Sequence, residues 1–161
     1  MNQFILSRDP KQSAAWLCNS HSVKQPLEQA QMLSSCHRLL ETPQADFVYK
    51  VAHANHPCTK WLRSSQIAYR YGLEYLEAMF AEYTHRYGKI HKTEREILPY
   101  LRHVPEALPD LPWEDPPQCF GDHQECRGDD VVQAYRKYYK ARRNEIKMEW
   151  TKREIPQWLL K

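Results

Sequence analysis

His21, Lys24 and Glu28 stand three and four residues apart in a segment whose apolar residues recur with a helical period. At about 100° per residue, His21, Lys24, Glu28, Gln31 and Ser35 fall within roughly one quadrant of a helix. Val23, Leu27, Ala30, Leu33 and Leu40 occupy the opposite side. The stripe is therefore expected to face away from the apolar side. Two readings stand: a solvated face carrying a Lys24–Glu28 pair four residues apart, or a base, an amine and a carboxylate converging in a cleft. In the second, the carboxylate activates water or stabilises a developing cation. A deprotonated lysine is a nucleophile, and an imidazole shuttles a proton.

His53-Ala54-Asn55-His56-Pro57-Cys58 is the densest polar cluster. It precedes a helix, so Asn55 or His56 can cap the exposed backbone donors. Free amides at that position also suit a phosphate. Trp61 and Arg63, one turn on, supply a stacking surface and a phosphate partner. His53, Asn55, His56, Trp61 and Arg63 are thus candidate substrate contacts. Against this stand a plain capping turn with a buried Cys58, and a metal site on His53, His56 and Cys58. The spacing of those three matches no standard zinc pattern.

Cys119-x3-His123-x2-Cys126 is a second candidate zinc motif, with Cys119, His123 and Cys126 as ligands and no fourth ligand nearby. His103 is a distant candidate, and an ordinary surface loop is the plainer reading. Arg136, Lys140, Arg143 and Lys147 recur at i, i+4, i+7 and i+11 on one helical face. No acid lies four residues from any of them. Such a stripe either is a solvated face or attracts a phosphate backbone with salt-sensitive affinity.

The elements that must position these groups are helices. Glycine is scarce, at 4 residues, and alternating β-branched runs are few, which argues against a sandwich or barrel. Asp9-Pro10 starts a first short helix, and Asn19 or Ser20 caps a second running from 21 to about 40. Pro26 either kinks that helix or delays its start. Pro57 opens a long helical region to about Tyr87, where Tyr69, Leu73, Leu76, Phe80, Tyr83 and Tyr87 form one buried face and Gly88 is the stop. Thr93-Glu94-Arg95-Glu96 reads as a capping box. Asp129 caps a last long helix over 130–150. Between these lies residues 103–128, with five prolines and no helical period. The expected architecture is all-α: one compact helical domain over residues 1–161 with a long irregular Pro-rich loop.

The chain has 161 residues, 42% of them hydrophobic, and a net charge of +3. This composition supports a buried core and excludes disorder. The charge permits a nucleic-acid partner without requiring one. No run of 18 apolar residues occurs, so no membrane-spanning helix is expected. No basic region precedes an apolar stretch at the N-terminus, so no signal peptide is expected. Five cysteines without such a leader read as reduced thiols in a cytoplasmic compartment.

Two resemblances add to this reading. Asn2-Gln3-Phe4 with Asp9-Pro10, Asn19-Ser20-His21-Ser22-Val23-Lys24 leading to Glu28-Gln29-Ala30-Gln31-Met32-Leu33, and the 53–58 cluster with Trp61 resemble a family of small uncharacterised phage and bacterial proteins. So do Glu82-Tyr83-Thr84-His85-Arg86-Tyr87-Gly88-Lys89, His91-Lys92, Ala134-Tyr135, Tyr138-Tyr139 and Pro156-x-Trp158. That family usually carries Asp where this chain has Asn19, and it brings no function with it.

More remotely, the His21 to Glu28 spacing, Arg127-Gly128-Asp129 before a late helix and the Pro-x-Trp ending are similar to phage pyrimidine-dimer DNA glycosylases of the endonuclease V type. The resemblance implies a small all-helical fold, a catalytic glutamate at Glu28 and an active-site histidine at His21. Those enzymes attack the sugar carbon with the amine of a mature N-terminal threonine. Here the second residue is Asn2, too large for the usual removal of Met1. The expectation is then that Lys24 replaces the amine, or that Glu28 activates water without strand cleavage.

The function expected on this basis is N-glycosidic cleavage on DNA or a nucleotide, in a host cytoplasm if the gene is carried by a phage. Glu28, Lys24 and His21 would do the chemistry, the basic stripe would hold phosphates, and no cofactor is implied. The alternatives are a base-modifying enzyme acting on free nucleotides, and a non-catalytic accessory protein that binds a host protein or nucleic acid.

Overall fold

The computed structural model describes residues 1–160, which form an all-α fold with no strand among the described residues. The helices are α1 (Pro10–Trp16), α2 (Asn19–Leu39), α3 (Pro57–Leu62), α4 (Gln66–Tyr87), α5 (Lys92–Glu96), α6 (Leu98–Leu101), α7 (Val131–Ala141) and α8 (Gln157–Leu160). No helix among them is long and apolar enough to cross a membrane.

Local chemistry explains most boundaries. Asp9 caps α1 by accepting from Lys11 N–H, with Pro10 in the first turn. Ser65 caps α4 through Ala68 N–H, and Gly88 closes it at φ 65°, a conformation that favours glycine. The 63–65 break divides the expected continuous region after Pro57 into α3 and α4. At α5 the cap is His91, whose ring accepts from Thr93 N–H, and not the expected Thr93 box. Pro26 lies inside α2 and neither ends nor delays it.

The two long helices, α2 and α4, pack against each other across Gly72. Its carbonyl accepts from Gln29 Nε2 at 3.1 Å, and a Cβ there would meet Leu62 Cδ2 at 2.3 Å. The core around them includes Leu33, Met32, Leu62, Tyr69, Leu76 and Phe80 from α2, α3 and α4, and Tyr135 and Tyr139 from α7.

Two expectations are corrected here. First, α2 is not turned as the sequence suggests. His21, Gln25, Gln29 and Ser35 are buried, whereas Val23 and Leu27 are exposed. The reason is the N-terminal segment: residues 2–6 are all buried and lie over the polar side of α2. Gln3 Nε2 donates to Gln29 Oε1 at 3.1 Å, and the Phe4 ring packs on His21 with centroids 4.4 Å apart. Phe4 itself takes a φ of 43°, a left-handed turn that a side chain rarely adopts.

Second, the last helix is capped by Asp130 and stops at Ala141, followed by one 3-10 turn. The chain then folds back. Glu149 carbonyl accepts from Asn19 N–H at 2.7 Å, Trp150 Nε1 donates to Trp16 carbonyl at 3.0 Å, and Thr151 N–H donates to Asn19 Oδ1 at 2.9 Å. A helix continued to 150 would carry Ile146, Met148 and Trp150 away from the core on which they pack.

The 103–128 region is irregular, as expected, apart from short turns. It is bound down along its length: Gln66 N–H to Pro109 carbonyl at 2.9 Å, Trp61 Nε1 to Glu114 carbonyl at 3.0 Å, and Arg8 to Asp115 at 3.0 Å. Gln118 clips the loop's far end by bonding both Gly128 N–H and Gly128 carbonyl.

Candidate active site

The N-terminal segment, the first turns of α2, the start of α3, the Pro-rich loop and the end of α7 line an open cavity of about 1310 Å³. Glu28 lies on its wall. The α-amino group of Met1 is 3.6 Å from Glu28 Oε2, and the Glu28 side chain is only 14% exposed. Gln25 Nε2 donates to the same oxygen at 3.2 Å, and Lys24 Nζ lies 3.3 Å from Oε1. One hydrogen bond and two ion pairs thus surround the carboxylate, and its position is set by helix α2 rather than by a loop.

Lys24 and His21 share this cavity with Glu28. The Lys24 side chain is 71% exposed, whereas the Met1 side is nearly closed off. His21 Nδ1 is 2.9 Å from Tyr139 Oη, and the same hydroxyl accepts from Cys18 N–H at 2.8 Å. Burial works against ionisation of the Cys18 thiol, but His21 and the neighbouring hydroxyls outweigh it and bring it down to about 6.

The backbone beside the amine is fixed through Asn2. Its Nδ2 donates to Cys119 carbonyl at 2.6 Å, and its Oδ1 accepts from the Tyr135 hydroxyl, which also lies 2.8 Å from Pro117 carbonyl. Nothing in the residue types 1 and 2 signals this arrangement; it depends on α7 and the Pro-rich loop closing over them.

The histidine cluster divides. His56 reaches the cavity and caps α3 by accepting from Cys58 N–H at 3.2 Å, while His53 and Asn55 are exposed and do not line it. Trp61 is buried, edge-on to Tyr71 and Trp113, and offers no free face. Arg63 donates to Ala54 carbonyl at 2.6 Å and serves the loop.

The basic stripe also divides. Arg136 donates to Leu6 carbonyl at 2.9 Å and lies over the rings of Trp16 and Trp158. Lys140 is exposed on α7, while Arg143 and Lys147 fall beyond the helix end, the latter 2.8 Å from Glu149. None of the four lines the cavity. The arginines that do are Arg127 and Arg142; Arg142 also stacks on Tyr138 and pairs with Glu145. Arg127 lies in the loop segment that carries the glycosylase resemblance, and Arg142 shows no sequence signal because it follows the helix break.

Cys119, His123 and Cys126 do not gather. His123 pairs with Glu145 at 2.7 Å, which raises its ring above the usual value, and Cys126 is buried. Cys119 instead meets Cys58, whose thiol donates to it at 3.8 Å. That bond lowers the Cys119 thiol, helped by Arg127 and the Met1 amine, and the same bond together with burial raises Cys58.

Comparison with known families decides the affiliation of this arrangement. The model of a family described as pyrimidine dimer DNA glycosylase matches residues 1–95. The chain belongs to that family. The match covers α1 to α4, and with them Met1, His21, Lys24, Glu28 and His56. It stops before the Pro-rich loop and α7, which complete the cavity. No curated protein and no solved structure matches the chain.

Proposed function

We propose that this protein is a DNA glycosylase acting on damaged pyrimidine sites, with the Met1 α-amino group as nucleophile and Glu28 as its catalytic carboxylate. The observation that carries the reading is the 3.6 Å approach of amine and carboxylate on a cavity wall. It replaces the expectation that Lys24 supplies the nitrogen. The Met1 side chain is 6% exposed and that of Lys24 is 71% exposed, so Met1 sits inside the cavity and Lys24 at its rim.

In the reaction the amine nitrogen forms a bond to sugar C1′ as the bond from C1′ to the base breaks. The base takes the electron pair and a proton, and in a cyclobutane dimer it stays tethered to the neighbouring pyrimidine. Positive charge grows on the sugar, and the carboxylate of Glu28, already placed by α2 and by its bond from Gln25, stabilises it. The sugar ring then opens, its oxygen taking the proton that the amine gives up, to leave an imine on Met1. Loss of a proton from C2′ forms the C2′–C3′ double bond, expels the 3′ phosphate and cleaves the strand. The target base leaves the stack to reach the cavity, at a cost of a few kcal/mol. Arg127 and Arg142 face the phosphates that flank it.

Asn2 supports this role for Met1. Its side chain is already engaged by Tyr135 and Cys119. Moving the terminus by one residue would displace the amine by about 3.8 Å, the spacing of successive Cα atoms.

The test is borohydride trapping. Duplex DNA carrying a cyclobutane pyrimidine dimer is incubated with the protein and reduced, and the adduct is mapped by mass spectrometry. The proposal expects strand cleavage and an adduct on the Met1 nitrogen, with N-terminal sequencing showing that amine to be free. An adduct on Lys24, or strand cleavage that survives Glu28→Gln, would overturn it.

A further inference from the structure

We propose that His56, Cys58 and Cys119 form a binding site for a thiophilic divalent cation of the zinc class. One ligand atom from each lies within 4.8 Å of the others, and this is the one such group of three among the described residues. The two cysteines are 61 positions apart, Cys58 in the first turn of α3 and Cys119 in the Pro-rich loop.

The distances favour a metal over the other uses of two thiols. The Sγ atoms are 3.8 Å apart. In a tetrahedral site with Zn–S bonds of about 2.3 Å, the edge between two sulfurs is about 3.8 Å. A disulfide needs about 2.05 Å, so the thiols would have to close by nearly half their separation. Two sulfurs and an imidazole also select soft and borderline ions over magnesium or calcium. Two thiolates neutralise a divalent charge, so Cys58, which has no exposed surface, is not left as a bare anion. The spacing His56-x-Cys58 matches no standard zinc motif, and the third ligand comes from outside the family-matched region.

Three protein ligands leave one position. His56 and Cys119 both line the cavity that holds Met1 and Glu28, so an ion bound to them sits at its wall. Binding would join the Pro-rich loop to the start of α3. It would also fix the Cys119 backbone, whose carbonyl holds Asn2. The site therefore acts as a clamp on the wall that positions the N-terminal segment. It does not depend on the glycosylase reading, because binding is read without DNA.

The experiment uses the full chain, stripped with a chelator, reduced with a phosphine and titrated with Co²⁺. Wild type is expected to bind one equivalent, with a sulfur-to-cobalt charge-transfer band and the intense visible bands of tetrahedral cobalt, all removed by added Zn²⁺. Cys119→Ser, at a partly exposed position, is expected to lose the charge-transfer band. His56→Gln is expected to weaken binding at least tenfold. Cys126→Ser and His123→Gln are expected to bind as wild type does. Circular dichroism checks that each variant retains its helices. Absence of the charge-transfer band in reduced wild type, its survival in Cys119→Ser, or its loss in Cys126→Ser would overturn the proposal.

Discussion

Tyr135 on α7 places its hydroxyl against Asn2 Oδ1, tying the second residue of the chain to a helical residue 133 positions away. Asn2 is 5% exposed and Tyr135 is fully buried. The pair holds the backbone on which the Met1 amine is carried. Tyr135→Phe is expected to lower kcat for strand cleavage by roughly tenfold or more, since misplacing a reacting group by about 1 Å can cost a hundredfold. KM should change little, and the melting temperature should drop by only a few degrees. Equal losses in kcat and in folded fraction would show a purely structural role.

Lys24 and Glu28 should separate sharply. The lysine is mostly in solvent, and an exposed pair contributes about 0–1 kcal/mol. Lys24→Ala is expected to leave kcat within about fivefold, the rate equivalent of 1 kcal/mol. Glu28→Gln is expected to reduce it by about 10²–10³, the usual effect of removing one fixed electrostatic partner of a transition state. Single-turnover rates on dimer-containing DNA measure both.

DNA affinity should follow the arginines at the cavity and not those on α7. Removing Arg127 and Arg142 together is expected to reduce the slope of log K against log salt by about 2, one for each lost phosphate contact. Arg136→Ala should instead lower thermal stability, because its guanidinium is packed over two tryptophans. Fluorescence anisotropy across a salt series tests the first claim, and thermal melts test the second.

A buried ion network ties the C-terminal tail to α4. Arg86 Nε donates to Glu82 Oε1 at 2.6 Å, and Arg153 Nη2 donates to Glu82 Oε2 at 2.8 Å. Burial opposes the charge on Glu82, yet the two arginines prevail and hold its carboxyl below the usual range. Arg86 Nη1 and Nη2 reach Asn19 Oδ1 and Ala15 carbonyl. Glu82→Gln leaves a buried guanidinium short of its counter-charge and is expected to cost about 3–5 kcal/mol. At roughly 2–4 °C per kcal/mol for a chain of this size, the melting point should fall by about 10 °C.

Stability should also fall in mild acid through His37. Burial, with a smaller contribution from His103, brings its ring down to about 4, and Tyr69 and Thr42 hold its two nitrogens at 2.7 Å each. An ordinary histidine titrates near 6.5, so between those values the unfolded chain binds the extra proton and the folded chain does not. The stabilisation is full above pH 6.5 and is lost as pH falls toward 4, with an upper bound of about 3 kcal/mol. Melting curves from pH 7.5 to 4.5 should show this slope, and His37→Gln should flatten it.

Local rules made several elements legible in the sequence: the Asp9-Pro10 start, the Gly88 stop, the irregular 103–128 region and the all-α class. Each depends on a cap, a missing N–H or a left-handed residue, which act within a few positions of the chain. The same rules failed for the orientation of α2, because its polar side is covered by residues 1–6, and no periodicity within a helix records what packs on it. They failed again at Ala141, where bonds from residues 149–151 back to Trp16 and Asn19 outweigh continued helix. Glu28 and His21 were legible as candidates from type and spacing. The Met1 amine beside Glu28, Cys119 beside Cys58, and the placement of Arg127 and Arg142 rather than the α7 stripe on the cavity wall were decided by tertiary structure alone. Each joins groups from segments distant in sequence, and only packing of the whole chain sets their separation.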